Sequence, residues 1–162
     1  MEQYQKVYET LKKMNITYDL IEHPPALTTE EADSYIVGKP GARTKSLFLS
    51  NRKKNAYYLV IMDDKKRLDM KKLGEIVNEK GMSFSAPEKL MEKMSLTPGA
   101  VSLFGLLNNP EHDIRLCIDR EMLSEKYMSF HANDNTKTII ISTEDMFTFI
   151  TTLGYEFSII DL

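Results

Sequence analysis

The sequence contains few of the residues that support a disulfide framework, a metal site or a membrane segment. Its single cysteine, Cys117, cannot form an internal disulfide, and three scattered histidines provide no spaced pair of soft ligands for zinc. No apolar run approaches the roughly 18 to 20 residues of a membrane span, and residues 1–5 lack the basic, apolar start of a secretory signal. We therefore expect a cytoplasmic protein with no metal, no other cofactor and no membrane partner.

The common catalytic motifs are missing as well. The chain has no G-x-S-x-G nucleophile elbow, no Walker phosphate loop, no dinucleotide-binding G-x-G-x-x-G and no zinc-protease H-E-x-x-H. These absences remove the commonest hydrolase, NTPase, dinucleotide and metalloprotease interpretations. Cys117 lies between Leu116 and Ile118 in a predicted strand, so we interpret it as an inert core residue and not as a nucleophile.

The composition is that of an ordinary globular protein. With 42% hydrophobic and 28% charged residues, and only seven glycines and six prolines, it excludes disordered, collagenous and low-complexity classes. No repeat, linker or abrupt change in composition divides the chain, so we expect one domain over residues 1–162.

Hydrophobic periodicity predicts several helices and about seven short strands. Helices are predicted over 2–14, from Thr28 to about Val37, and from starts near Asp69, Ser85 and Ser142, with capping boxes at 28–31 and 85–88. The strand candidates include 16–20, a hairpin of 46–49 and 56–62, and the segments 101–107, 114–118, 126–130 and 138–141. Because strands and helices do not alternate regularly, the pattern predicts an α/β mixed sheet or barrel with surrounding helices.

Charge is distributed unevenly along a chain whose net charge is −3. The segment from Lys39 to Lys72 carries +8, which leaves −11 for the remainder. Such a segment suits phosphates, although from charge alone solvated surface lysines are the better explanation. Within it, Arg43 and the predicted hairpin tip of Arg52, Lys53 and Lys54 are candidate RNA contacts.

Three short segments could carry chemistry, and each has an ordinary structural explanation beside it. At the mouth of a strand, Lys45 could aim its ammonium into a cleft or lie along the surface. The turn around Gly99 could bring backbone N–H groups to a ligand oxygen or simply connect a loop to a strand. Beyond it, His131 could orient a substrate or begin a turn rich in Asn and Asp. The candidate substrate contacts beside these three residues are Thr44, Ser46, Pro98, Ala100, Asn133 and Asn135.

Taken in order, these segments resemble a known family. They are similar to the free-standing aminoacyl-tRNA editing deacylases of the YbaK/prolyl-tRNA synthetase-associated domain family, which are related to the insertion domain of bacterial prolyl-tRNA synthetase. The resemblance covers nearly the whole chain, with matching stretches at 22–25, 28–32, 41–49, 57–60, 67–72, 96–101, 106–108 and 131–138. The branch most alike removes alanine mischarged onto proline tRNA.

The resemblance implies a barrel-like α/β fold and hydrolysis, without metal, of the ester between an amino acid and the terminal adenosine of a tRNA. It assigns the family's lysine, glycine loop and histidine to Lys45, Gly99 and His131. The expected partners are mischarged tRNA(Pro) and, as a candidate, prolyl-tRNA synthetase. Two alternatives stay open: removal of another small residue such as Cys or Ser, and a non-catalytic tRNA-binding module. The chain departs from the family pattern at Ser46, Leu103 and Ala132, where the family often has Asn, Pro and Pro.

Overall fold

The computed structural model describes residues 1–26 and 28–162. Within these residues a mixed sheet contains eight strands: β1 (Asp19–Glu22), β2 (Ala42–Ser50), β3 (Tyr57–Asp63), β4 (Ser83–Phe84), β5 (Ile114–Asp119), β6 (Tyr127–His131), β7 (Lys137–Ser142) and β8 (Phe157–Ile160). The strand order is β1-β7-β6-β2-β3-β5-β8, and β4 pairs with β2 at its side. The order begins at β1 and ends at β8, so the α/β fold expected from the sequence is an open sheet and not a closed barrel.

Five α-helices and three 3₁₀ turns surround the sheet in the described residues. The helices are α1 (Gln3–Lys13), α2 (Thr29–Ser34), α3 (Met70–Val77), α4 (Pro87–Met94) and α5 (Thr143–Leu153), and the 3₁₀ turns are Pro98–Ala100, Leu103–Asn108 and Arg120–Ser124. Side-chain oxygens of Thr28, Asp69 and Ser142 accept the N–H groups that begin α2, α3 and α5, which confirms these predicted caps. No helix among residues 1–26 and 28–162 is long and apolar enough to cross a membrane.

The central strand β3 is buried on both faces. Alternate residues pack into a larger hydrophobic core (Tyr57, Leu59, Ile61) and a smaller one (Tyr58, Val60, Met62). The larger core also receives α1, α4 and α5, whereas the smaller one receives Leu73 of α3. A strand covered on both faces needs a continuous apolar run, which is why 56–62 shows no alternation of polar and apolar residues.

The segment 101–107 was predicted as a strand, and this prediction is wrong. Local hydrogen bonds replace strand pairing there: the Ser102 hydroxyl accepts from the Phe104 N–H at 2.9 Å, and the Ser102 carbonyl accepts from the Gly105 N–H at 3.0 Å. Leu103, Phe104 and Leu106 are all buried on the resulting 3₁₀ turn. An apolar run of this length fits a buried turn as well as a buried strand.

Two further boundaries differ from the sequence prediction. The predicted capping box at 85–88 is absent: α4 begins with Pro87 after Ala86, which makes no side-chain cap, while the Ser85 N–H extends the sheet edge by donating to the Phe48 carbonyl at 3.0 Å. The strand predicted at 16–20 begins only at Asp19, because the Ile16 N–H still donates to Leu11 at the end of α1. Ile16 therefore fills the core ahead of the strand.

One feature of the sheet positions the candidate site. At its start β2 pairs in parallel with β6 only through Ala42 and Arg43, after which it pairs with β3 along residues 44–50. Beyond Arg43 the strands β2 and β6 therefore separate, and a cavity lies in the gap.

Candidate active site

The three residues expected to be catalytic lie around one cavity. Lys45 on β2, Gly99 in the turn Pro98–Ala100 and His131 at the end of β6 all line a volume of about 240 Å³. Helix α2 forms another part of its wall through Ala32. This volume is slightly below the roughly 300 to 1,000 Å³ usual for small-molecule sites, so it fits the acyl end of a substrate better than a whole nucleotide.

The ammonium of Lys45 is available to a ligand. Lys45 sits opposite Met62 in the register of β2 and β3, and its side chain is half-buried. No hydrogen bond or ion pair within residues 1–26 and 28–162 uses its Nζ, whereas Lys66, Lys89 and Lys93 each pair with a carboxylate. A lysine that lines a cavity without a protein partner can bind a phosphate or a carbonyl oxygen.

The hydroxyl residues on either side of Lys45 also line the cavity. The Thr44 Oγ1 donates to the Ser129 carbonyl at 2.5 Å and so ties β2 to β6 where the strands separate. Because that bond uses the donor, Thr44 can offer a ligand only its lone pairs. Ser46 lies on the cavity wall as well.

The turn Pro98–Ala100 has one backbone N–H that could stabilise an oxyanion. Pro98 has no N–H, and the Ala100 N–H donates to the Thr97 carbonyl at 3.0 Å. The Gly99 N–H is therefore the donor that this turn can direct at a ligand oxygen. A Cβ built on Gly99 would meet only the Asn135 Nδ2, at 3.7 Å, so neighbouring side chains do not explain a glycine there.

His131 contributes a neutral imidazole with an unused nitrogen. Its Nδ1 is buried and has no hydrogen-bond partner in the described chain. Burial lowers the pKa of His131 below its usual 6.5, and nearby His23 lowers this pKa further. A neutral ring with an unpaired buried nitrogen is suited to a hydrogen bond with a ligand hydroxyl.

Sequence reasoning missed His23 as a neighbour of the site. Its Nδ1 lies 2.8 Å from the Pro24 carbonyl and must donate to it, which leaves Nε2 to accept from the Thr138 Oγ1 at 2.8 Å in the neutral ring. Thr138 lines the cavity, and the His23 ring stacks on Tyr35 at 5.0 Å. In the sequence, residues 22–25 served only as one of the stretches that carry the family resemblance, and His23 received no role at the site.

Sequence reasoning also missed two carboxyl groups on the cavity wall. Asp33 comes from α2, and Asp64 directly follows β3, where its backbone N–H donates to the Arg43 carbonyl at 2.8 Å. Burial, with the nearby carboxyl of Asp33, raises the pKa of Asp64 from 3.8 to about 8. The sequence signal was an Asp63-Asp64 pair at the end of a buried strand.

Several predicted contact residues have structural roles or positions outside the cavity wall. Ala100 is buried in the turn, and Asn135 lies behind Gly99. The Asn133 amide accepts from the Ser102 hydroxyl at 3.1 Å and donates to the Phe104 carbonyl at 3.2 Å, which holds the following 3₁₀ turn. Their contact with substrate stays a prediction.

Arg43 also has a structural role. Its guanidinium donates to the carbonyls of Ile36, Lys39, Pro40 and Gly41 and so fastens the loop that follows α2. That loop adjoins the cavity through Ile36, which lines it. A phosphate contact from Arg43 stays a prediction, and it would have to share these donors.

The hairpin tip of Arg52, Lys53 and Lys54 lies away from the cavity. The three side chains are exposed, and no ion pair in the described residues involves them. From Lys45 to Arg52 the chain runs five residues along β2 to Ser50 and two more into the turn, a reach of at most about 23 Å at the rise of a strand. Beside the tip, a cleft of about 560 Å³ is lined by Arg52 and by two more cations, Lys71 and Lys80, together with the acidic Glu75 and Glu79. The sheet thus has a polar cavity at one end of β2 and a basic surface at the other.

The fold and this cavity can be compared with known proteins. The family model of the aminoacyl-tRNA editing domain matches residues 23–149, which include every cavity residue discussed above. The chain belongs to the aminoacyl-tRNA editing domain family. Membership confirms the family resemblance seen in the sequence and makes the protein an aminoacyl-tRNA deacylase by class.

Individual relatives cover the editing domain at nearly full length. The prolyl-tRNA editing protein ProX of Acetoanaerobium sticklandii is 32% identical over 162 residues, covering 100% of this chain and 99% of its own. The prolyl-tRNA synthetase associated domain-containing protein 1 of Bos taurus is 27% identical and covers 91% of this chain and 88% of its own. A crystal structure provisionally assigned to a trans-editing enzyme for prolyl tRNA synthetase has a TM-score of 0.77 at 19% identity, covering 100% and 98% of the two chains. That likeness shows the same fold.

Proposed function

We propose that the protein hydrolyses the ester of Ala-tRNA(Pro), acting in trans in the cytoplasm on a misacylation product of prolyl-tRNA synthetase. One observation carries the proposal: in a chain of the editing family, an unpartnered lysine, a glycine turn and a neutral histidine line one small cavity. The prolyl-tRNA editing name of a relative at 32% identity supports the choice of tRNA. Residues 1–162 act as one editing domain in this proposal, and the synthetase is the candidate partner.

The reaction needs positioning more than it needs a protein nucleophile. An aminoacyl ester is already activated, so a site can accelerate its hydrolysis by orientation and by stabilising the oxyanion. In the proposed arrangement the Gly99 N–H receives the carbonyl oxygen, Lys45 holds the phosphate-ribose end, and the His131 Nδ1 bonds a ribose hydroxyl. Water then forms the new bond to the carbonyl carbon, the bond to the ribose oxygen breaks, and that oxygen takes the proton the water loses.

Cys117 has no part in this mechanism. It is buried in the smaller core and does not line the cavity. Burial raises the pKa of its thiol to about 11, so the thiolate is scarce at neutral pH.

Selection of alanine rests on size. A cavity of about 240 Å³ leaves little room beyond the ester and a small side chain. An apolar pocket discriminates by only about 1 to 3 kcal/mol per methylene, so rejection of proline also needs a steric block or contacts with the tRNA. The basic tip of Arg52, Lys53 and Lys54 supplies such contacts in the proposal, since phosphate backbones bind exposed cations.

A deacylation assay tests the proposed function. The full chain is incubated with tRNA(Pro) charged separately with Ala, Cys, Ser or Pro, and the free amino acid is measured. The expected result is fastest release of alanine and no release of proline above the spontaneous rate. Faster release of cysteine or serine would identify a different substrate, and retention of tRNA without any release would identify a non-catalytic binding module.

A further inference from the structure

The Asp33 and Asp64 carboxyls lie on the wall of the cavity, and the reaction as written above does not use them. They come from separate elements, α2 and the end of β3, yet both line the same cavity, where the Asp33 carboxyl acts directly on that of Asp64. The Asp64 Oδ1 is buried, and no N–H or O–H of another described residue bonds it. No ion pair in the described residues joins either carboxyl to a cation.

Two carboxyl groups in contact share a hydrogen bond only when one of them carries a proton. Besides Asp33, the charged groups acting on Asp64 are Asp63, which raises its pKa, and Lys65, which lowers it. Burial and the two acidic neighbours outweigh the single exposed lysine, so the pKa of Asp64 lies near 8. At neutral pH the Asp64 carboxyl of the pair therefore largely keeps its proton.

Only one part of the described cavity wall attracts a positively charged ligand. Lys45 repels a positive ligand, His131 is neutral, and the remaining polar groups on the wall are hydroxyls such as Thr44 and Ser46. Among the described residues of the wall, the acid pair alone supplies negative charge, and it already holds a proton. No group of three or more His, Cys, Asp or Glu that could hold a metal ion occurs in residues 1–26 and 28–162.

The proposed substrate carries a cation close to the reacting carbonyl. In an aminoacyl ester the α-ammonium is attached to the carbon next to the carbonyl carbon. If the carbonyl oxygen lies at the Gly99 turn, the ammonium must lie inside the same small cavity. We propose that the Asp33–Asp64 pair binds the α-ammonium of the aminoacyl group in exchange for its shared proton, and so selects esters with a free amino group.

This inference rests on the proposed function, and it adds two specificity-determining residues to it. Binding forms hydrogen bonds from the ammonium to both carboxylates and releases one proton to solvent. An N-acylated aminoacyl ester has no ammonium and cannot displace the proton, so it leaves the pair protonated and makes no charged bond. The editing domain should therefore distinguish alanyl from N-acetylalanyl esters.

A binding measurement tests the exchange without depending on turnover. An amide-linked 3′-alanylamino-3′-deoxyadenosine is titrated into the protein at pH 7 in buffers of different ionisation enthalpy. We expect release of close to one proton for the alanyl compound, none for its N-acetyl form, and affinity about 10-fold or more higher for the former. Equal affinity, or no proton release on binding of the alanyl compound, would overturn the proposal.

Substitutions then assign the effect to the pair. Asp64→Asn and Asp33→Asn keep the shape and one hydrogen bond but remove the exchangeable proton. Asp63→Asn is the matched control, because Asp63 also ends β3 but accepts from the Lys65 N–H at 2.9 Å and does not line the cavity. An α-ammonium also makes the ester itself more reactive, so the two substrates differ in rate even without the protein. The quantity to compare between variants is therefore the ratio of kcat/KM for the alanyl ester to kcat/KM for the N-acetylalanyl ester.

We expect Asp64→Asn and Asp33→Asn to lower kcat/KM for Ala-tRNA(Pro) about 10-fold or more and to leave that for N-acetylalanyl-tRNA(Pro) unchanged. Asp63→Asn should keep the parent's ratio of kcat/KM between the alanyl and N-acetylalanyl substrates. An equal loss on both substrates would show a merely structural role and contradict the inference. If the parent hydrolyses neither ester, the proposed function itself fails, and the titration still decides whether the pair binds an ammonium. The titration of the parent also decides the matter if a variant does not fold.

Discussion

Lys45→Ala removes from the cavity wall an ammonium that has no hydrogen-bond or ion-pair partner among residues 1–26 and 28–162. A hydrogen bond to a charged group contributes about 1.5 to 3 kcal/mol, which corresponds to a loss of roughly 10- to 150-fold in kcat/KM for Ala-tRNA(Pro). Misplacement of the ester would enlarge this loss, because orientation itself contributes to the rate. We therefore expect Lys45→Ala to lower kcat/KM by at least this factor.

The same structure predicts a small effect on stability. Lys45 forms no ion pair within the described residues, and β2 keeps its backbone register with β3 whatever the side chain. A substitution that breaks no buried contact usually changes the free energy of unfolding by less than about 0.5 kcal/mol. For a chain of this length that is a shift of under about 2 °C in Tm.

The assay combines steady-state deacylation with a thermal scan of each variant. Lys13→Ala is the matched control, since it removes an equal charge from an exposed position on α1. Lys45→Arg keeps the charge but replaces a compact ammonium with a wide planar fork, so a fitted site should not tolerate it. A folded Lys45→Ala variant with parental kcat/KM would refute the reasoning and favour the tRNA-binding module.

Three further predictions follow from other parts of the molecule. Charge reversal at the hairpin tip with Arg52→Glu, Lys53→Glu and Lys54→Glu should weaken tRNA binding. It should also reduce the slope of log Kd against log salt concentration by about 2 to 3. An unchanged slope would show that the tip does not contact the tRNA. Cys117→Ala should retain turnover per folded molecule, because the thiol is buried away from the cavity; loss of kcat in a folded variant would reverse that assignment. Because the pKa of Asp64 is raised from 3.8 to about 8, the folded state holds a proton that the unfolded chain has released. The free energy of unfolding should therefore fall as pH rises from about 4 to 8, and urea titrations should show a weaker decline for Asp64→Asn.

The sequence predicted the elements whose signals are local. The caps at Thr28, Asp69 and Ser142 depend on a side chain and an N–H a few residues away, and the hairpin of β2 and β3 depends on two apolar runs around a polar tip. The strand prediction for 101–107 was wrong because an apolar run indicates burial but does not indicate the backbone conformation of the buried segment. Hydrogen bonds from Ser102 decide that conformation.

The candidate site was predictable only in part for the same reason. Lys45, Gly99 and His131 stand out in short motifs, and the structure brings them to one cavity. Asp33 and Asp64 stand in strongly charged stretches where solvated acids are ordinary, and only the tertiary structure brings both to one cavity wall and desolvates Asp64. Arg43 shows the converse: its charge suggested an RNA contact, but four backbone carbonyls accept hydrogen bonds from its guanidinium.

The placement of charge explains how an acidic protein can act on tRNA. The +8 segment from Lys39 to Lys72 folds into β2, β3, the start of α3 and the loops that join them, so its cations are spread over both ends of β2. At one end Lys45 lies in a cavity sized for an acyl group, and at most about 23 Å away the tip presents three exposed cations. A ligand with its ester in the cavity and a phosphate backbone leading away from it can contact both ends at once. A free aminoacyl adenosine reaches only the first, so charge reversal at the tip should leave kcat/KM for that small ester unchanged while lowering it for Ala-tRNA(Pro).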